Sequence, residues 1–151
     1  MIIFARIDSR LIHGQVVEGW LPTMKIDEVI VVSADYASSS LARKMFRMSL
    51  PSGYGLQVFA PLDAADYLKQ ESALRQFVLI EDISSLKIML EAGLAMPRIN
   101  IGNTRYEHGK SEVAHGVYLN TEEAAYLRGI KESGVLLDIR ALPSSVQRRF
   151  S

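Results

Sequence analysis

Apolar residues along the chain fall into short continuous runs separated by longer stretches of helical spacing. The runs at residues 2–7, 28–32, 56–59, 77–80, 98–101, 117–119 and 135–139 predict strands. Several are apolar on both faces, as in Val29-Ile30-Val31-Val32 and Phe77-Val78-Leu79-Ile80. Such strands belong to a sheet covered by helices on each side. Helical patterns lie between them. One spans residues 14–20 and stops at Pro22. A second, over residues 38–48, carries Leu41, Met45 and Met48 at helical spacing. A third begins at Pro61, a good first-turn residue. A fourth is capped by Ser84 or Ser85 and ends at Gly93. A fifth is capped by Thr121, has Glu122 and Glu123 in its first turn, and ends before Gly134. This alternation predicts a mostly parallel, doubly wound α/β architecture. No linker, repeat or low-complexity tract interrupts it, so residues 1–151 read as a single domain closing in a short polar tail at about 144–151.

Composition narrows the picture. The 151 residues can bury a core without covalent staples, and their 48% hydrophobic share is that of a globular protein. There are no cysteines, which excludes disulfides, thiolate metal sites and cysteine nucleophiles. Seventeen basic and seventeen acidic side chains give a formal net charge of zero. That balance argues against a nucleic-acid partner bound by broad phosphate neutralisation, but not against a local cationic pocket. The N-terminus carries Arg6 and Asp8 where a signal peptide needs an apolar run. No stretch approaches the roughly 18 apolar residues of a spanning helix. The expectation is a soluble, cytoplasmic chain without direct membrane insertion.

In open α/β sheets, ligands sit beyond the carboxyl ends of the strands. The first such end is the densest polar segment of the chain, Arg6-Ile7-Asp8-Ser9-Arg10-Leu11-Ile12-His13-Gly14-Gln15. It invites a phosphoryl-transfer reading. A neutral imidazole nitrogen of His13 can accept a phosphoryl group near pH 7. Asp8 can hold the other ring N–H and fix the tautomer. Arg10 can supply a bidentate contact to phosphate oxygens. Gly14 can turn the chain tightly into a helix whose first amides, with the helix dipole, favour negative charge by about 0.3–1 kcal/mol. Arg6 has a second reading, as a structural partner of Asp8 or a residue snorkelling from the sheet edge. Trp20 is expected to pack against the sheet. His108 and His115 stand seven residues apart, a spacing that suits no common metal motif; no metal and no organic cofactor is expected. Neither G-x-G-x-x-G nor a Walker lysine follows a strand, which ranks nucleotide binding low.

The segment from Arg6 to Val16, with Trp20 following, closely resembles the phosphorylation-site signature of IIB components of the mannose/fructose/sorbose family. These belong to the bacterial phosphoenolpyruvate-dependent sugar phosphotransferase system (PTS). Asn100-Ile101-Gly102 with Gly109-Lys110, Glu132-Ser133-Gly134-Val135, and Asp138-Ile139-Arg140 with Pro143 extend the resemblance over nearly the whole chain. It implies a three-layer α/β/α fold with a mainly parallel sheet of six to seven strands in the order 3-2-4-1-5-6. It implies that His13 becomes a phosphohistidine on Nδ1, with Asp8 and Arg10 as its catalytic companions. The expected phosphate-binding groups are Arg6, Arg10, Gly14 and Gln15. That strand order sets the loops after strands 4 and 5 beside His13, so Gly102, Asn103 and Arg105 are expected at the pocket rim, with Ser33 and Asp35 as further candidates. Glu81 and Asp82 are expected only as helix N-terminal charges. Where the family commonly has two glycines, this chain has Gly102-Asn103.

The implied function is a phosphocarrier that takes a phosphoryl group from a phosphorylated IIA component. It passes the group to a sugar substrate entering through IIC and IID membrane components, which it would meet peripherally. The alternative is a phosphorylation-dependent regulatory module of an incomplete system without sugar transport. Most other IIB families use a phosphocysteine, so a chain without cysteine fits only the histidine-using kind.

Overall fold

The two most apolar runs become neighbouring interior strands of the sheet, each buried on both faces. In the computed structural model, which describes Met1–Ser151, nine strands form in chain order. They are β1 (Ile2–Asp8), β2 (Glu28–Val32), β3 (Gly55–Phe59), β4 (Gln76–Ile80), β5 (Arg98–Asn103), β6 (Ser111–Ala114), β7 (Val117–Leu119), β8 (Leu136–Ile139) and β9 (Arg148–Arg149). Seven of them make one sheet in the order β3-β2-β4-β1-β5-β8-β9. All its pairs are parallel except β8–β9. Four α-helices, α1 (Ser40–Ser49), α2 (Pro61–Lys69), α3 (Ile83–Glu91) and α4 (Thr121–Glu132), connect or follow the strands.

The period of two along each strand divides the core. Ile30, Val32, Val78 and Ile80 face Ala64, Leu68, Leu86 and Met89 in a cluster of 21 buried residues. Val29, Val31, Phe77 and Leu79 point the other way, to Val16, Trp20, Leu21 and Leu50 in a cluster of 11. This is the three-layer arrangement, with strand order 3-2-4-1-5 as expected.

Several local expectations change. Residues 117–119 pair antiparallel with β6 in a separate hairpin, and β8 takes the place beside β5. The polar tail is ordered at its end: β9 pairs with β8, and Phe150 is buried in the larger cluster. The stripe Leu41, Met45, Met48 on α1 is exposed, while Ala42 is the buried residue of that helix. Two caps fall earlier than expected, by one residue at α4 and by two or three at α3. Asp82 accepts from the Ser85 N–H at 2.8 Å to start α3. Asn120 and Glu123 form a reciprocal capping box that starts α4. At α4 the stronger cap residue, asparagine, stands directly before the threonine, and at α3 an aspartate two residues before Ser84 takes the cap.

Candidate functional site

The carboxyl end of β1 lies between β4 and β5, and its last residue, Asp8, is completely buried. A buried carboxylate needs partners. Asp8 has four. Its Oδ2 accepts from Arg6 Nε at 2.9 Å, from Asn103 Nδ2 at 3.0 Å and pairs with His13 Nε2 at 2.9 Å. Its Oδ1 accepts from the Arg10 backbone N–H at 3.0 Å, and its carbonyl accepts from the Leu11 N–H at 3.1 Å. Burial pushes the Asp8 pKa up, but the His13 hydrogen bond, the Arg6 guanidinium, the His13 charge and the Arg10 amide together hold it below the ordinary carboxylate value.

Those two turn bonds shape the loop. They fold residues 8–11 into a tight turn with Leu11 at φ 57°, the only non-glycine residue with a positive φ. Such a conformation costs roughly 1–2 kcal/mol for an L-residue, and the full burial of Leu11 holds it there. Gly14, expected to carry the unusual backbone, instead has an ordinary φ of −53°. The helix that follows is a six-residue π-helical segment, Gln15–Trp20, running into one 3-10 turn, Leu21–Thr23. It buries Val16 and Trp20 against the sheet and leaves the His13 ring 17% exposed. His13 Nε2 is committed to Asp8 and Nδ1 makes no hydrogen bond in the chain. The His13 and Gly14 N–H groups likewise meet no acceptor.

Arg6 behaves as its structural reading requires. It is 0% exposed, and its guanidinium donates to Asp8, to Asn100 Oδ1 at 2.5 Å, to the Arg140 carbonyl at 3.0 Å and to Gln15 Oε1 at 3.1 Å. The Trp20 ring supports it from one side, 5.5 Å from Cζ, and also carries Arg140 at 5.2 Å. Burial pulls the Arg6 pKa below the ordinary guanidinium value, opposed chiefly by Asp8. A side chain with no exposed surface presents nothing to an incoming phosphate, so direct phosphate contact by Arg6 does not fit. Gly102 is also buried rather than at the rim; a Cβ there would overlap the Arg6 guanidinium. Ser33 is buried too, its hydroxyl 2.5 Å from Glu81 Oε2. Burial raises the Glu81 pKa, the Ser33 bond opposing it and the charges of Asp82 and Asp35 adding to it. Asp35 is exposed and lines a small pocket with Ser9, Glu81 and Arg105.

Four of the remaining expected residues come together, while Gly14 lines a separate depression with Gln15. Arg10, Gln15, Asn103 and Arg105 line one cleft of about 390 Å³, together with Tyr106 and His115. The Arg10 side chain is exposed and unpaired, whereas Arg105 stands 3.9 Å from Glu81. His115 reaches the cleft through the β6–β7 hairpin, and its sequence spacing carried no sign of this. Asn100, Asp138 and Arg140 were also missed as site residues. They form the support behind Arg6, with Asn100 Nδ2 3.1 Å from Asp138 Oδ2 and Arg140 3.4 Å from the same oxygen.

A mostly parallel α/β domain that holds a partly exposed histidine on a buried carboxylate has the form that a histidine phosphocarrier requires. Comparison with known proteins agrees. Residues 2–151 match the family described as PTS system sorbose subfamily IIB component, and the chain belongs to it. It is 26% identical to the fructose-specific EIIB component of Bacillus subtilis (strain 168), over 99% of this chain and 93% of that protein. It is 26% identical to the N-acetylgalactosamine-specific phosphotransferase enzyme IIB component 1 of Escherichia coli (strain K12), over 99% and 96%. Among solved structures, the IIBSor domain of the sorbose permease from Klebsiella pneumoniae superposes with a TM-score of 0.90 at 26% identity, covering 98% of this chain and 92% of that one. No helix of the protein is long and apolar enough to cross a membrane.

Proposed function

We propose that residues 1–151 act as one phosphocarrier unit in which His13 accepts a phosphoryl group on Nδ1 from a phosphorylated IIA component and passes it to a sugar entering through IIC and IID membrane components. The observation that carries this reading is the asymmetry of the His13 ring. Asp8 holds Nε2, which fixes the proton there and leaves the Nδ1 lone pair free at a partly exposed ring. A relative, the mannose-specific EIIAB component of Escherichia coli (strain K12), carries IIA and IIB designations in one chain, and this protein matches 44% of its length. That pairing supports a IIA partner.

In the transfer, Nδ1 attacks phosphorus in line while the P–N bond to the donor histidine breaks and the donor nitrogen keeps its electron pair. The protein's part is positioning and charge stabilisation. Arg10 supplies a mobile guanidinium at the cleft. The free N–H groups of His13 and Gly14 supply backbone donors. The Gln15 amide is oriented because its Oε1 is held by Arg6 and Asn103, which leaves its nitrogen as a further donor. As the ring gains phosphate, Asp8 stabilises the positive charge on it.

The test is to incubate the protein with phosphorylated IIA and measure acid-labile phosphate by mass spectrometry. The wild type is expected to gain one phosphoryl group on His13 and His13→Ala none. Labelling of His13→Ala at the full rate contradicts the assignment. Arg10→Lys keeps the charge but loses the planar fork. It is expected to slow transfer from IIA about tenfold, a rise of roughly 1.4 kcal/mol in the barrier, in rapid-quench kinetics, with no change in melting temperature. An unchanged rate removes Arg10 from the phosphate site.

A further inference from the structure

We propose that Asn103 is a positioning residue that keeps the phosphoryl group on His13 labile, by taking part of the Asp8 carboxylate that the imidazole would otherwise have to itself. This rests on the phosphocarrier reading and adds to it a residue that sets transfer potential.

The register of the sheet creates the contact. Ile7 lies opposite Ile101, but Asp8 lies opposite Asn103, so Gly102 is an extra residue on β5. Such a bulge re-aims the side chain that follows it. Here it brings Asn103 directly across from Asp8. Asn103 then uses its one amide nitrogen twice, on Asp8 Oδ2 at 3.0 Å and on Gln15 Oε1 at 3.0 Å. Asp8 Oδ2 also serves His13 Nε2 and Arg6 Nε, both at 2.9 Å. Three donors crowd an oxygen with two lone pairs. Each reduces the pull that oxygen exerts on the other two.

That pull governs the imidazole. A carboxylate drawing on Nε2–H enriches the ring in electrons and makes it a stronger base. A stronger base holds phosphorus more tightly at Nδ1 and releases it more slowly. By competing for Oδ2, Asn103 moderates this and favours release. In the release step the P–Nδ1 bond breaks with its electron pair returning to Nδ1, and a P–O bond forms to the acceptor hydroxyl as that hydroxyl gives its proton to solvent. When the acceptor is water, its protons end on inorganic phosphate and in solvent.

The test compares wild type, Asn103→Gly and Asn103→Leu, the last keeping the volume while removing the donor. Each is loaded with phosphoramidate, and loss of phosphohistidine is followed by phosphorus NMR. Both variants are expected to lose phosphate about three- to tenfold more slowly, the scale of one ordinary hydrogen bond's net contribution. Independently, the His13 Nε2 proton of the unphosphorylated variants is expected to move downfield as its bond to Asp8 strengthens. Loss rates within twofold of wild type, or an unmoved proton, overturn the proposal. Faster loss in Asn103→Gly with a wild-type rate in Asn103→Leu also overturns it, because that pattern means Asn103 only excludes water. If no wild-type phosphohistidine forms from phosphoramidate or from IIA, the phosphocarrier reading fails instead, and the proton shift still decides whether Asn103 shares Asp8.

Discussion

Gly102→Ala is expected to lower the melting temperature by roughly 10 °C, through a loss of about 3 kcal/mol or more. The added Cβ would occupy the place of the Arg6 guanidinium, which has no solvent-exposed side to retreat to. Either the guanidinium moves and leaves Asp8, Asn100 and Gln15 short of a donor, or β5 moves and the bulge opposite Asp8 is lost. Both routes break a buried charged network, which is among the few ways a single methyl group costs so much. Gly14→Ala is the matched control for stability. Its Cβ would meet nothing within 4 Å, and φ −53° suits alanine, so stability should change by less than about 0.5 kcal/mol. Thermal unfolding followed by circular dichroism separates the two. Equal effects would mean that Gly102 does not make room for Arg6.

Asp8→Asn is expected to cut phosphorylation of His13 on the order of 10²-fold or more, and also to destabilise the fold by about 3–5 kcal/mol. The first effect follows from the tautomer. An asparagine can present its NH₂ group to Nε2, which would move the ring proton to Nδ1 and remove the nucleophilic lone pair. The second follows from Arg6, left as a buried cation without its carboxylate. The pH dependence carries a definite sign. Asp8 has its pKa lowered in the folded protein, because the His13 bond, Arg6 and the Arg10 amide outweigh burial. Its ionised form therefore contributes stability that is fully present above the ordinary aspartate value of about 4 and is lost as the pH falls through the lower folded value. The asparagine side chain does not titrate, so the acid side of the stability profile should flatten in the variant. A variant as steep as wild type below about pH 4 would assign acid unfolding to other carboxylates.

The range of each contact along the chain decides how much of it is legible in the sequence. The sheet was legible because residues 29–32 and 77–80 are apolar without alternation, a pattern that only a doubly covered parallel strand requires. His13 and Asp8 were legible because they lie five residues apart in one loop. Their support was not. Arg6 meets Asn100 and Arg140, 94 and 134 residues away, only because β5 and β8 follow β1 across the sheet. The role of Gly102 depends on a one-residue register shift that leaves no trace in composition. On α1, the periodicity of Leu41, Met45 and Met48 was real, but the helix packs through Ala42 and Phe46 and turns that stripe outward. The β6 strand, Ser-Glu-Val-Ala, is short and almost wholly exposed, with none of the apolar alternation that marks a half-buried strand.

The most direct test of the central claim is the position of the phosphoryl group on the ring. Protein labelled with ¹⁵N at histidine, phosphorylated by IIA, would be observed by phosphorus and nitrogen NMR. Phosphorus should couple to Nδ1 of His13, with Nε2 still protonated toward Asp8. Phosphate on Nε2, or on His108 or His115, would contradict the account, because Nε2 of His13 is the nitrogen that Asp8 holds.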